Sequence, residues 1–129
     1  MAKKLSKVFG VVFVIVAALG FAMKGNIFGT FQTGPVHDVV HLVSGVALFA
    51  LAGVAALRVF GVVYLAVAAL GFAMGPGLLI GVLHVNAADN WLHLVLGVLV
   101  LAASMLGSSS SAPAAPAAPA APASPAPMA

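Results

Sequence analysis

The chain has no cysteine and almost no charge. Without cysteine there are no disulfides, no thiolate nucleophile and no Cys-ligated zinc or iron–sulfur centre. Five Lys or Arg and two Asp or Glu make up the 5% of charged residues in 129. A soluble domain carries about 25%, so seven charges cannot cover a water-exposed globule of this size. The net charge of +3 comes from scattered positions, Lys3, Lys4, Lys7, Lys24 and Arg58 against Asp38 and Asp89. No basic stripe is present, which argues against a nucleic-acid partner. Also missing are a Gly-rich phosphate loop, a nucleophile elbow and a serine usefully placed beside a histidine, so no enzymatic activity is expected.

What the chain has is apolar mass, 64% of its residues, arranged as a repeat. Val8–Met23 reads VFGVVFVIVAALGFAM, and Val59–Met74, fifty-one positions on, reads VFGVVYLAVAALGFAM. Three residues of the run differ. The basic N-terminus followed by an apolar run has the look of a secretory signal. Its recurrence in mid-chain makes it instead the first helix of a retained unit. The duplication continues at an offset of fifty-two, where His41-Leu-Val-Ser-Gly45 matches His93-Leu-Val-Leu-Gly97. The connecting loops match weakly, Phe28-Gly29 against Ile80-Gly81.

Four membrane spans follow, at about 5–24, 35–55, 58–75 and 87–106. About 20 residues at 1.5 Å each cross a hydrocarbon core of ~30 Å. Continuous apolar runs without alternation fit helices, not barrel strands. Pro35 suits a first helical turn. Asn86 suits an N-cap, with Asp89 placing negative charge in the first turn of span four. Loops 24–34 and 75–86 are apolar enough to lie along the membrane surface. Lys3, Lys4, Lys7 and Arg58 fall on one side and Lys24 on the other, which puts both termini in the cytoplasm. With two helices per unit, the units are tandem parallel helical-hairpin repeats related by a pseudo-two-fold along the membrane normal, not inverted repeats. The expected fold is thus an all-α membrane protein, a four-helix transmembrane domain over 1–107 with repeats at about 5–55 and 56–107. Residues 108–129, serines and then Ala-Pro-Ala units of three-residue period, read as a disordered, polyproline-like spacer, or as a proline run that docks to a partner.

Polar residues inside apolar spans are costly and mark sites or fastenings. Span two opens His37-Asp38-Val39-Val40-His41, and span four opens Asp89-Asn90-Trp91-Leu92-His93. Residues three and four apart share a helix face. His37 with His41, and Asp89 with His93, therefore converge just below the outer surface if both faces look inward. Three readings follow. The groups fasten the helices together; or His37, His41, Asp89 and His93 hold zinc, copper or iron, or His41 and His93 hold a haem; or the cluster handles protons or a small solute. The cofactor is left unknown. His84 reads as a surface histidine, Trp91 as an interfacial anchor, and Ser44 as bonded back to its own helix. Small-residue steps at Ala52/Ala56, Gly71/Gly75 and Gly77/Gly81 permit close helix approach.

Phe31-Gln32 with Val36-His37-Asp38-Val39-Val40-His41-Leu42 resembles an FQ…LHNxVHL signature. Val85-Asn86-Ala87-Ala88-Asp89-Asn90-Trp91-Leu92-His93 resembles VNTADNWLH. Both mark a family of small bacterial four-helix integral membrane proteins catalogued as a domain of unknown function. The resemblance covers about residues 5–106. Asp38 departs from it, standing where the signature has Asn. It implies four helices in a bacterial inner membrane and no known reaction. The leading expectation is a structural or accessory membrane module with an internal His/Asp/Asn cluster, with metal or haem binding as the rival class and transport as a third. The expected partners are the lipid bilayer and other membrane proteins or a second copy of the chain.

Overall fold

The computed structural model describes residues 1–108. Of the tail expected at 108–129, Ser108 closes the last helix and the rest lies outside the described residues. Among the described residues four helices form, α1 (Ala2–Met23), α2 (Pro35–Ala50), α3 (Val54–Met74) and α4 (Ala87–Ser108). α1, α3 and α4 are each long and apolar enough to cross a membrane. α2 is not. Its 16 residues rise about 24 Å at 1.5 Å each. The span expected at 35–55 stops at Ala50 because the chain reverses through 51–53, and α3 begins at Val54, four residues before the expected start. The apolar run is unbroken there. Only Gly53, an N-cap in extended conformation, marks the reversal.

The loops are the larger departure. Each forms a two-stranded antiparallel hairpin, β1 (Asn26–Ile27) with β2 (Phe31–Gln32), and β3 (Gly77–Leu79) with β4 (Leu83–Val85). Phe28-Gly29 and Ile80-Gly81 sit at the tips with positive φ at both residues, 53° and 70°, 47° and 72°. Thr30 N–H donates to the Ile27 carbonyl and Val82 N–H to that of Leu79, each at 3.1 Å. Two central residues of positive φ are the backbone sign of a primed turn, here within three-residue loops closed by the Ile27–Phe31 and Leu79–Leu83 pairs. A bulky residue in the left-handed region is costly, which is why Phe and Ile at those points gave no hairpin signal.

The helices pack chiefly as α1 on α2 and α3 on α4. Glycine sets both crossings. A Cβ on Gly10 would stand 2.7 Å from the Gly45 carbonyl oxygen, and one on Gly45 the same distance from that of Gly10. A Cβ on Gly61 would stand 2.9 Å from the Leu101 nitrogen, and one on Gly97 2.9 Å from that of Leu65. Backbone meets backbone at these points, the close approach that small residues give membrane helices. They are not the steps expected from the sequence, and Gly77 and Gly81 lie in the second β-hairpin. Near the helix ends that carry the basic residues, Ser6 donates to the Leu48 carbonyl at 2.6 Å and Lys7 Nζ lies 5.1 Å from the centre of the Phe49 ring. Phe13, Leu48, Leu57, Tyr64 and Val100 form the buried apolar core. Large side chains such as Val8, Ile15, Val43, Val62 and Val98 face outward. An apolar exterior around a polar centre is the inverse of a soluble bundle.

Candidate metal centre

α2 and α4 open beneath the β-hairpins and carry the polar side chains inward. His37, His41 and His93 come together, all at most 6% exposed. One ligand nitrogen from each lies within 4.8 Å of the others. His37 and His41, one turn apart, place their Nε2 atoms 3.1 Å from each other. Ring centroids are 4.8 Å apart for His37 and His41, 5.6 Å for His37 and His93, and 6.0 Å for His41 and His93. Tetrahedral coordination at 2.0–2.1 Å would put imidazole centroids roughly 5 Å apart. The three rings fit a shared ion with small adjustments. The Nδ1 atom of each ring is buried without a hydrogen-bond partner, although the backbone of Gln32 and His84 stands beside His37. Two histidines at i and i+4 are also the helical half of known zinc sites.

Asp89 goes elsewhere. Its Oδ2 accepts the Asn86 backbone N–H at 2.8 Å, while Asn86 Oδ1 accepts the Asp89 N–H at 2.9 Å. This reciprocal pair is a capping box and places Asn86 as the N-cap expected from the sequence. The same Oδ2 accepts the Gln32 N–H at 3.1 Å, and Asn86 Nδ2 donates to the Thr30 carbonyl at 2.7 Å. Asp89 thus ties the start of α4 to the first β-hairpin, across the two halves of the chain. Gln32 belongs to the FQ signature, but it and Thr30 join this junction through backbone atoms, which residue identity does not announce.

Asp38 lies between the paired histidines in sequence but off their face. Its Oδ1 accepts the Thr33 hydroxyl, and its carboxyl packs where a Cβ on Gly20 would have to go. Asn90 does the same at Gly71. His84 is exposed, as a surface histidine should be. Trp91, 60% exposed, meets Phe72 edge-on at 5.1 Å. Beside the histidines lies a cavity of about 160 Å³, lined by Val16, Phe31, Asp89, Leu92 and the three rings. A second cavity of about 30 Å³ lies against the same rings, with Ser44 and Tyr64 in its wall. Tyr64 went unremarked in the sequence, yet it is one of the three differences between the copied runs, standing where the first has Phe13.

Long apolar helices with outward apolar faces, closed over an inward polar cluster, define a helical membrane protein. Residues 3–106 match the model of a family described as a domain of unknown function, DUF4383, and the chain belongs to that family. The matched span includes both motif-bearing segments. Neither the curated proteins nor the solved structures give a match.

Proposed function

We propose that this chain is a non-catalytic membrane module that holds one divalent transition-metal ion through His37, His41 and His93. The observation that carries the reading is the convergence of three buried imidazoles joined by one hydrogen bond. A purely structural clasp would hold the three rings by one ring–ring contact at 3.1 Å, whereas a shared ion would engage one nitrogen of each. Imidazole suits zinc, copper and iron, and no thiolate or carboxylate donor lies among the three to narrow the choice. A cavity of about 160 Å³ falls below the ~300–1,000 Å³ of pockets that enclose larger ligands, which favours a bare ion over a haem. Asp89 and Asn86 carry the clasp, since their bonds to Gln32 and Thr30 cross between the two halves. The accessory, stabilising role expected from the sequence rests on these bonds.

In this reading the four helices all cross a bacterial inner membrane. α2 is short, and β1–β2 at its N-terminal end completes the crossing. The halves are parallel repeats. Support comes from matched contacts at matched positions: Gly20 on Asp38 and Gly71 on Asn90, Phe13 with Tyr64 at 4.7 Å, and His41 with His93. Both termini are cytoplasmic and the histidines lie near the outer surface. A reporter placed after Gly107 that is active only in the periplasm would reverse this orientation.

The metal assignment is tested on full-length protein purified in detergent through a tag that binds no metal. After chelator treatment, titration with zinc or copper is expected to load about one ion per chain. Binding no stronger than that of the His41→Ala/His93→Ala double variant would overturn it.

A further inference from the structure

Among the polar groups near the three histidines, Tyr64 is neither a ligand in the reading above nor part of the cap network. Tyr64 is the only tyrosine in the chain. It is 4% exposed, and its hydroxyl is buried without a hydrogen-bond partner. The polar side chain beside that hydroxyl is Ser44. The ring centroid lies 5.5 Å from that of His93 and 6.0 Å from that of His41. Tyr64 also shares the wall of the 30 Å³ cavity with all three imidazoles. That volume exceeds the ~10–15 Å³ that one small guest needs. A buried tyrosine hydroxyl ordinarily finds a partner. An orphan one, in the wall of a small cavity that three candidate ligands also line, has room to gain one.

The position sharpens this. Phe13 occupies the matching place in the first copy, with its ring 5.6 Å from that of His41 and 4.7 Å from that of Tyr64. An aromatic ring alone fills the core there, so the packing of this layer does not require the hydroxyl on Tyr64.

We propose that the Tyr64 phenol oxygen is the fourth donor of the site, giving three imidazoles and one phenolate. The inference rests on the metal reading above. Coordination replaces the phenol O–H by a metal–oxygen bond, and the proton leaves to bulk water. An anionic oxygen donor favours cupric or ferric ion over zinc, and a phenolate bound to either absorbs visible light by charge transfer.

The test loads full-length protein in detergent with Cu(II) and records the visible spectrum of wild type and Tyr64→Phe, a change that copies Phe13. Wild type is expected to show a phenolate-to-copper band, with tyrosinate ring modes enhanced in resonance Raman when excited within it. Tyr64→Phe is expected to lose the band, keep bound copper, and bind at least about tenfold more weakly, since even a group that only supports a ligand costs that much when removed. Copper bound by wild type without the band or the ring modes would overturn the fourth-donor assignment and leave the histidine site standing. Wild type that binds no copper would overturn the fourth-donor assignment, and wild type that binds neither copper nor zinc would overturn both. The Raman measurement needs only wild type, so a failure of the variant to fold leaves the proposal open to refutation.

Discussion

The hairpin α1–α2 and the hairpin α3–α4 pack alike and differ in what they place beside the central cavity. Both use glycine at the crossing, Gly10 on Gly45 and Gly61 against Leu101 with Gly97 against Leu65. Both seat a polar side chain on a glycine further out, Asp38 on Gly20 and Asn90 on Gly71. Both bring a histidine to the centre at matching positions, His41 and His93. Around those histidines the halves diverge. His37 stands opposite the capping carboxylate Asp89, Phe13 opposite Tyr64, and Ser44 opposite Leu96. Positions that set the distance between backbones are constrained by contacts a side chain would break, and the halves share them. Positions lining the cavity are not so constrained, and there one half supplies the second histidine of the i, i+4 pair and the other supplies the cap and the phenol.

This division can be broken at several points. The largest effect is expected at the shared histidines. His41→Ala and His93→Ala should each weaken metal binding at least about 100-fold, or roughly 2.7 kcal/mol, as read by competition with a chelating dye. A loss confined to one of them would mean that the site belongs to one hairpin. The two crossings come next. Gly10→Val and Gly61→Val each drive a side chain into backbone and should cost about 2–3 kcal/mol by overpacking, measured by denaturant unfolding in micelles. Tolerance of either change would show that its hairpin does not depend on close approach.

Asp89→Ala separates the clasp from the site. It removes the capping box and the bond to Gln32 and should cost about 1–2 kcal/mol of stability, with metal affinity nearly unchanged. A collapse of affinity would make Asp89 a ligand after all. Asp38→Asn is expected to do least. It gives the first hairpin the residue of the second, and an amide oxygen can still accept from Thr33, so the change should stay below about 1 kcal/mol in the same unfolding assay. A larger loss would mean that the carboxylate charge has a role absent from the other half.

The helices were legible because apolar runs long enough to cross a bilayer have few other solutions. The matched histidines were legible because residues four apart share a face. Asn86 and Asp89 announced a helix start, and the structure closes them into a cap. Helical spacing alone does not say whether Asp89 serves the cap or a metal; the structure shows the cap, and Asp89 also lines the cavity of the three histidines. The end of α2 was hidden in an apolar stretch with no breaker but Gly53. The β-hairpins were hidden because Phe28 and Ile80 occupy a backbone region usually left to glycine or asparagine. Tyr64 was visible only as a difference between two copies of one apolar run.

X-ray absorption at the edge of the bound metal tests the central claim most directly. With metal-loaded protein the account predicts a first shell at about 2.0–2.1 Å and the outer-shell scattering of three imidazoles, falling to two in His93→Ala. A shell of light scatterers without imidazole, or a wild-type spectrum unchanged by His93→Ala, would contradict it.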